Sequence, residues 1–138
     1  MIANDEIKNN LLLRFHKVRE TTLKFTQNLN PEDMVIQTNE YVSPVKWHLA
    51  HTTWFFENFI LKGTKNYKLF NKSFNYLFNS YYKKVGQYNP KTERGFISRP
   101  YTSEIIKYRK YVEDKILELF SKNEINEKKF FLMELGIN

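Results

Sequence analysis

The sequence predicts an all-α protein, a four-helix bundle formed by one domain over residues 1–138. Three observations indicate this class. Apolar residues recur every three to four positions in long segments, and Pro and Gly cluster between those segments. A length of 138 residues with 41% hydrophobic content supports one packed core.

The first helix is predicted over residues 5–29. Pro31 follows in the segment Asn-Pro-Glu-Asp, where it can open a short turn, because the first position of a helix needs no amide hydrogen. Residues 34–42 are predicted to be irregular or extended. The apolar face of this helix is expected to consist of Ile7, Leu11, Phe15, Val18, Thr22 and Phe25.

The second helix is predicted to begin with Ser43 as a hydroxyl N-cap and Pro44 at its first position. It should run to about Leu61 and stop at Gly63. Residues 64–102 then form a long connection with a short aromatic helix over residues 74–83. A connection of this length in a small domain is usually functional or laid over a site.

The third helix is predicted over residues 103–120, with Thr102 as its cap. Asn126 is expected to cap a fourth helix, which begins with EKKFFLMELGIN. Bundle helices normally match their neighbours in length, and the three preceding helices run to roughly 18 residues or more. We therefore expect the fourth helix to be truncated.

The composition excludes some classes of function. The chain has no cysteine, so it forms no disulfide and has no thiolate metal ligand or Cys nucleophile. The formal charge is +7, but the lysines are scattered, which is typical of a solvated surface. No apolar run reaches the length of a membrane span and the N-terminus lacks a signal-peptide core, so we expect a cytoplasmic protein.

The stretch SPVKWHLAHTTWFFE contains His48 and His51 three positions apart on a predicted helix. A helical histidine pair can bind a metal, but an open metal site needs at least three protein ligands. The only other histidine, His16, lies on the first helix. The residues alone leave open whether the pair is a metal site or one buried, hydrogen-bonded histidine beside a surface one.

The segment NSYYKKVGQYNPKTERGFISRP places two arginines in irregular backbone, where binding groups are commonly mounted. Arg94 and Arg99 suit carboxylate or phosphate recognition because the guanidinium fork matches those anions. The alternative is a structural loop whose arginines satisfy backbone carbonyls. Glu57 and Glu104 are interpreted as helix-surface or helix-start charges, and no residue is assigned as catalytic.

Four stretches together resemble one family: SPVKWHLAHTTWFFE, YLFNSYYKKVG, RGFISRP and EIIKYRKYVE. They are similar to the N-terminal region of the ergothioneine-biosynthesis sulfoxide synthases (EgtB type). The resemblance implies a DinB-like four-helix bundle with a long connection between helices 2 and 3. It also implies a C-terminal domain related to formylglycine-generating enzyme, and iron(II) held by one histidine of a WHLAH-type motif and two of an HxxxH motif.

In that family, iron(II) and O2 are used to join the sulfur of cysteine or gamma-glutamylcysteine to hercynine and to oxidise it to a sulfoxide. By position, the resemblance makes His51 the iron ligand and His48 a neighbour that orients the site. Arg94 and Arg99 match the basic positions expected to bind the thiol substrate. The loop QYNPKTE departs from relatives that carry more arginine or histidine there.

The family's HxxxH motif follows a segment like FLMELGIN, and the sequence ends at Asn138. We therefore expect an incomplete iron site, no activity of this chain alone, and possible completion by a separate C-terminal chain. No nucleic-acid or membrane partner is expected. Two alternatives remain: part of a DinB-type thiol transferase that uses zinc or nickel, or a non-enzymatic basic helical module that binds nucleic acid or protein.

Overall fold

The computed structural model describes residues 4–138, which form a bundle of long helices joined by shorter ones. No β-strand occurs in this part of the chain, and the predicted all-α helical bundle is confirmed. The helices are α1 (Asp5–Lys24), α2 (Pro31–Met34), α3 (Val45–Phe56, continued by a π-helical turn, Glu57–Leu61), α4 (Phe74–Phe78), α5 (Thr102–Ser121) and α6 (Glu127–Ile137), with a 3₁₀ helix at Lys91–Phe96.

Helix α3 is central, and α1 runs antiparallel to it. The ring of Phe15 meets that of Phe56 at 4.9 Å between centroids. One turn later in α1, Arg19 donates to Thr53 Oγ1, which lies one turn earlier in α3. Helices α1 and α3 therefore form an antiparallel pair.

Helix α5 instead runs parallel to α3. Near the start of both, Lys46 donates to the carbonyl of Pro100 at 3.0 Å, and further along both, Tyr108 donates to Glu57. Parallel neighbours need a long crossover, which residues 62–101 provide. The sequence predicted this long connection.

Helix α6 runs antiparallel to α3 and parallel to α1. At its start, Lys129 donates to Thr64 Oγ1, beyond the end of the π-helical turn. Near its end, a Cβ added at Gly136 would lie 2.8 Å from ring atoms of Phe55 and Phe56, so glycine allows the two helices to approach closely. In chain order, the four bundle helices α1, α3, α5 and α6 run up, down, down and up.

The predicted apolar face of α1 is partly wrong. Ile7, Val18 and Phe25 are exposed, and the helix ends at Lys24 instead of residue 29. Polar residues occupy inward positions because they have partners inside the bundle: Lys8 donates to Asn123, and Arg19 donates to Glu113 and Thr53. The buried residues of α1 are Lys8, Leu11, Phe15 and Arg19.

Ser43 does not cap α3, contrary to the prediction. The helix begins at Val45 with Pro44 at the cap position, because the Ser43 hydroxyl accepts a hydrogen bond from Arg94 Nη1 at 2.8 Å. The short aromatic helix ends at Phe78, five residues before the predicted end.

The starts of α5 and α6 agree more closely with their predicted caps. Helix α5 begins at Thr102, one residue earlier than predicted, and Glu104 accepts the N–H of Tyr101 at 2.7 Å. Glu104 is thus a helix-start charge, as interpreted. The Asn126 side chain accepts the N–H of Lys129 at 2.9 Å, which confirms the predicted cap of α6.

The interpretation of Glu57 as a helix-surface charge is wrong, because its side chain is buried and the residue is only 3% exposed. It opens the π-helical turn, and its carboxylate accepts hydrogen bonds from the Tyr67 hydroxyl at 2.7 Å, the Phe70 N–H at 3.0 Å and the Tyr108 hydroxyl. Three donors compensate the desolvation of a buried carboxylate that has no cationic partner among the described residues.

The core lies where α3 contacts the other three long helices. None of the helices in residues 4–138 combines the length and apolar character needed to cross a membrane. The large side chains buried at the centre include Phe15, Trp54, Phe56, Ile105, Tyr108, Ile116 and Met133.

Candidate functional site

His51 lies in the middle of α3 and faces the end of α4. Its Nδ1 is 2.7 Å from the backbone oxygen of Phe78. A carbonyl oxygen can only accept, so Nδ1 carries the proton and Nε2 of the neutral ring keeps its lone pair. This is the arrangement in which an imidazole ligates a metal through Nε2 while its other nitrogen is held by a carbonyl.

Two tryptophans hold the His51 ring in place. Trp47, one turn earlier, stacks on it at 4.5 Å between centroids and 15° between planes. Trp54, three residues later, stacks on it at 5.6 Å and 17°. Trp47 also donates its indole N–H to the Leu77 carbonyl at 2.9 Å. Consecutive carbonyls at the end of α4 therefore bind Trp47 and His51, which restricts rotation of the imidazole.

An open recess of about 780 Å³ borders His51. Its walls come from α3, from the segment just before α3 and from the long crossover, and they bring together three residues that the sequence analysis singled out: His48, His51 and Arg94. This volume is within the range typical of small-molecule sites. Four tyrosines also line the recess: Tyr41, Tyr81, Tyr82 and Tyr88.

Arg94 is 5% exposed and lies over the Trp47 ring, with its guanidinium carbon 3.5 Å from the ring centroid. It donates to the Ser43 hydroxyl at 2.8 Å and to the Ser80 carbonyl at 3.1 Å. Burial lowers the pKa of Arg94 to about 10. Two guanidinium nitrogens are engaged in holding the recess together, and Nε has no hydrogen-bond partner among the described residues.

Arg99 does not line the recess. It is exposed, and its guanidinium carbon lies 3.9 Å from the centroid of the Tyr101 ring. The structure thus separates the two arginines that the sequence paired as anion receptors. Arg94 is built into a wall of the recess, whereas Arg99 lies over the Tyr101 ring at the surface.

His48 lies on the rim of the recess and is partly exposed to solvent. Desolvation, and then the positive charges of Arg94 and Lys91, lower the pKa of His48. Desolvation is also the main cause that lowers the pKa of His51, with Arg94 acting in the same direction and the bond to the Phe78 carbonyl opposing it. Both shifts favour the neutral imidazole, the form that binds metals.

The residues present fit one metal ligand and do not form a complete ligand set. Between residues 4 and 138, no group of three or more His, Asp or Glu side chains could hold a metal ion. His16 lies on α1 beside Phe15, with ring centroids 5.7 Å apart, and does not line the recess. A site at His51 therefore needs further ligands from outside these residues.

Sequence reasoning missed the backbone contribution to this site. The Phe78 carbonyl cannot be recognised from residue type, although Trp47 and His51 at an i, i+4 spacing do indicate a common partner on one helix face. It also missed Asn79, which is fully buried directly after α4. An Asn-Ser pair that follows the apolar run YLF was the available indication.

No curated protein matches this chain. A family model described as DinB superfamily matches residues 14–123, which include His51, the end of α4, Arg94 and all of α5. This match covers most of the sequence and agrees with the all-helical bundle. The chain therefore belongs to the DinB superfamily.

Proposed function

We propose that this chain provides one histidine ligand, His51, to the mononuclear iron(II) site of an ergothioneine-type sulfoxide synthase. The observation that carries the proposal is the hydrogen bond from His51 Nδ1 to the Phe78 carbonyl, which leaves Nε2 unprotonated beside an open recess. Membership of the DinB superfamily supports a metal-dependent role in general. The resemblance of four sequence stretches supports the specific reaction.

Iron(II) would supply the O2-dependent redox chemistry that joins the sulfur of cysteine or gamma-glutamylcysteine to hercynine. The chain's own residues position the groups around that chemistry. His51 offers Nε2, and Trp47 and Trp54 fix the plane of its ring. Of the two candidate arginines, Arg94 lines the recess but already binds Ser43 and Ser80, and Arg99, which is exposed outside the recess, is the one with donors left for a substrate carboxylate.

His51 alone cannot enforce a metal geometry. We propose that the remaining ligands come from a segment or a partner chain outside residues 1–138, and that the chain by itself neither holds iron tightly nor turns over. The alternative thiol transferase with zinc or nickel would use the same histidine. It gives no role to the crossover residues that wrap the recess, such as Ser80 and Arg94, and we therefore favour the sulfoxide synthase.

Metal contact at His51 can be tested with the purified 138-residue chain. Weak binding of Ni²⁺ should broaden the NMR resonances of residues around His51 and Phe78 through paramagnetic relaxation. His51→Ala should abolish that broadening, and His16→Ala, which alters a histidine remote from the recess, should not. Equal broadening in wild type and His51→Ala would refute the ligand role.

The reaction is tested by supplying iron(II), O2, hercynine and gamma-glutamylcysteine to the chain, with and without a second chain that carries an HxxxH motif. We expect sulfoxide product, detected by mass spectrometry, only in the presence of both chains. Stoichiometric iron binding and product formation by the 138 residues alone would contradict the incomplete site. Zinc- or nickel-dependent thiol transfer without sulfoxide formation would replace the proposal with the alternative.

A further inference from the structure

We infer that Asn79 is a positioning residue that aims the Phe78 carbonyl at His51 and thereby keeps His51 Nε2 available as a ligand. Asn79 is 0% exposed, although it lies in the polar connection that follows α4. It does not line the recess, and its side-chain hydrogen bonds go to Tyr82 and Gly86 and not to His51. Its effect on the site is exerted through the peptide bond that joins it to Phe78.

The Asn79 side chain closes the loop that follows α4. Its Nδ2 donates to the carbonyl of Tyr82 at 3.1 Å and to that of Gly86 at 3.5 Å. Its Oδ1 accepts the N–H of Tyr82 at 3.0 Å. A buried amide whose donors and acceptor are all engaged in one loop gives that loop a single conformation, because each broken bond would leave a buried polar group unpaired.

The peptide group between Phe78 and Asn79 transmits this constraint. The N–H of Asn79 donates to the Asn75 carbonyl at 3.2 Å. In a planar trans peptide the C=O and N–H vectors point in opposite directions. Fixing the Asn79 N–H inside α4 therefore fixes the Phe78 oxygen outward, towards His51 Nδ1 at 2.7 Å.

Arg94 restrains the same loop from the other side, through its bond to the Ser80 carbonyl at 3.1 Å. Asn79 is thus held by its hydrogen bonds to Tyr82 and Gly86 within the loop. Ser80, the next residue, is held by Arg94 in the wall of the recess.

If the Asn79 side-chain amide were lost, only the backbone hydrogen bond to Asn75, at the last turn of α4, would still hold the Phe78–Asn79 peptide, and this single bond would no longer give the Phe78 carbonyl one direction. The His51 proton could then occupy either ring nitrogen, and the tautomer with a proton on Nε2 cannot bind a metal through Nε2, the nitrogen that the wild-type arrangement leaves available.

The relevance of Asn79 to metal binding rests on the proposed function, whereas its control of the His51 tautomer does not. The first measurement is therefore made without metal. Two-bond ¹H–¹⁵N NMR correlations at pH 8 report which ring nitrogen of His51 is protonated. We expect the Nδ1–H tautomer in wild type and a mixture of tautomers in Asn79→Ala.

Asn89→Ala is the matched control. Asn89 is also a buried asparagine of the crossover, but its Nδ2 has no partner and no hydrogen bond joins its side chain to another described residue. This variant removes buried volume without removing a hydrogen bond of the loop. It should keep the wild-type tautomer, which separates positioning from a general loss of packing.

Asn79→Asp provides a second variant in case Asn79→Ala does not fold. It conserves the shape of the side chain and the acceptor for Tyr82, and it replaces the two donor bonds by oxygen–oxygen repulsion. It should also shift the His51 tautomer, with a helical circular dichroism spectrum like that of wild type. A folded Asn79 variant that keeps the wild-type tautomer would overturn the inference.

The second measurement is the Ni²⁺ titration described above. Loss of an outer partner of a ligating histidine typically weakens metal affinity 10- to 100-fold, and we expect a loss of at least about tenfold in Asn79→Ala and none in Asn89→Ala. If Asn79→Ala shifts the tautomer but wild type shows no Ni²⁺ contact at His51, the positioning role of Asn79 is supported and the proposed metal site is refuted. Unchanged affinity in a variant with a shifted tautomer would overturn the link to metal binding.

Discussion

Replacing Tyr108 with Phe tests whether the buried Glu57 carboxylate depends on its phenol donors. Tyr108 is 0% exposed and Glu57 is 3% exposed, so water cannot substitute for the lost hydroxyl. A hydrogen bond to a charged group contributes about 1.5–3 kcal/mol. We therefore expect Tyr108→Phe to lower the free energy of unfolding by about 2 kcal/mol, because Glu57 keeps only the donors from Tyr67 and Phe70.

The assay is urea unfolding followed by circular dichroism at 222 nm. With a urea dependence of about 2 kcal/mol per molar, typical of a small domain, the midpoint should fall by about 1 M. Tyr76→Phe is the control, since Tyr76 is 44% exposed and a surface change of this kind alters stability by no more than about 0.5 kcal/mol. Equal midpoints for the two variants would refute the account of Glu57.

The same substitution should change the response to alkaline pH. Burial, and then the charge and hydrogen bond of Glu57, raise the pKa of Tyr108 above its ordinary value of about 10. The tyrosine of the unfolded chain therefore ionises first, so the stability from Tyr108 is complete below pH 10 and is lost as the pH rises further. Each raised tyrosine removes about 1.4 kcal/mol per pH unit in that range. Above pH 10, Tyr108→Phe should lose stability less steeply than wild type by that amount, and parallel profiles would contradict the shift.

Two further predictions concern the first helix and the crossover. Arg19→Leu should lower the free energy of unfolding by about 2 kcal/mol, because it removes hydrogen bonds to Glu113 and Thr53 from a guanidinium that is only 4% exposed. Arg14→Leu breaks a pair in which both side chains are about 40% exposed and should cost less than about 1 kcal/mol. Similar losses for the two variants in urea unfolding would refute the distinction. Gln37→Ala should accelerate hydrogen exchange in the 3₁₀ helix, since the Gln37 side-chain amide accepts the N–H of Gly95 at 2.7 Å and donates to two backbone carbonyls. Gly95→Ala should have the same effect, because the added Cβ would lie 2.7 Å from the Gln37 Cβ. Unchanged exchange in both variants would contradict the role of Gln37 in holding the 3₁₀ helix.

The bundle was predictable because its helices follow local rules. The start at Ser43 and Pro44 and the stop at Gly63 place α3 with its π-helical turn to within one or two residues, apolar spacing and the cap at Thr102 do the same for α5, and the Asn126 cap sets the start of α6. The prediction was poorer where tertiary partners outweigh local preference. Ser43 is a good cap by type, yet its hydroxyl binds an arginine 51 residues away in the sequence, and such a partner leaves no local pattern.

The candidate site was only partly predictable for the same reason. His51 can be selected from the sequence, and its position beside a recess agrees with that selection. The direction of its lone pair depends on the Phe78 carbonyl, a backbone group that every residue carries. Inward-facing Arg19 and Glu57 were also missed, because residue-type statistics place charges outside unless their partners are known.

The π-helical turn that begins at Glu57 has a consequence for the phase of α3. A wider turn accommodates one additional residue, and in a regular α-helix one residue corresponds to a rotation of about 100°. The segment before the turn is phased so that His51 reaches the recess, and the last residues of the turn itself so that Ile60 and Leu61 are 2% and 1% exposed. A single helix thus serves two surroundings that a uniform α-helix could not satisfy together, and a deletion of one residue within 57–61 would rotate one of them out of register with the rest of the bundle.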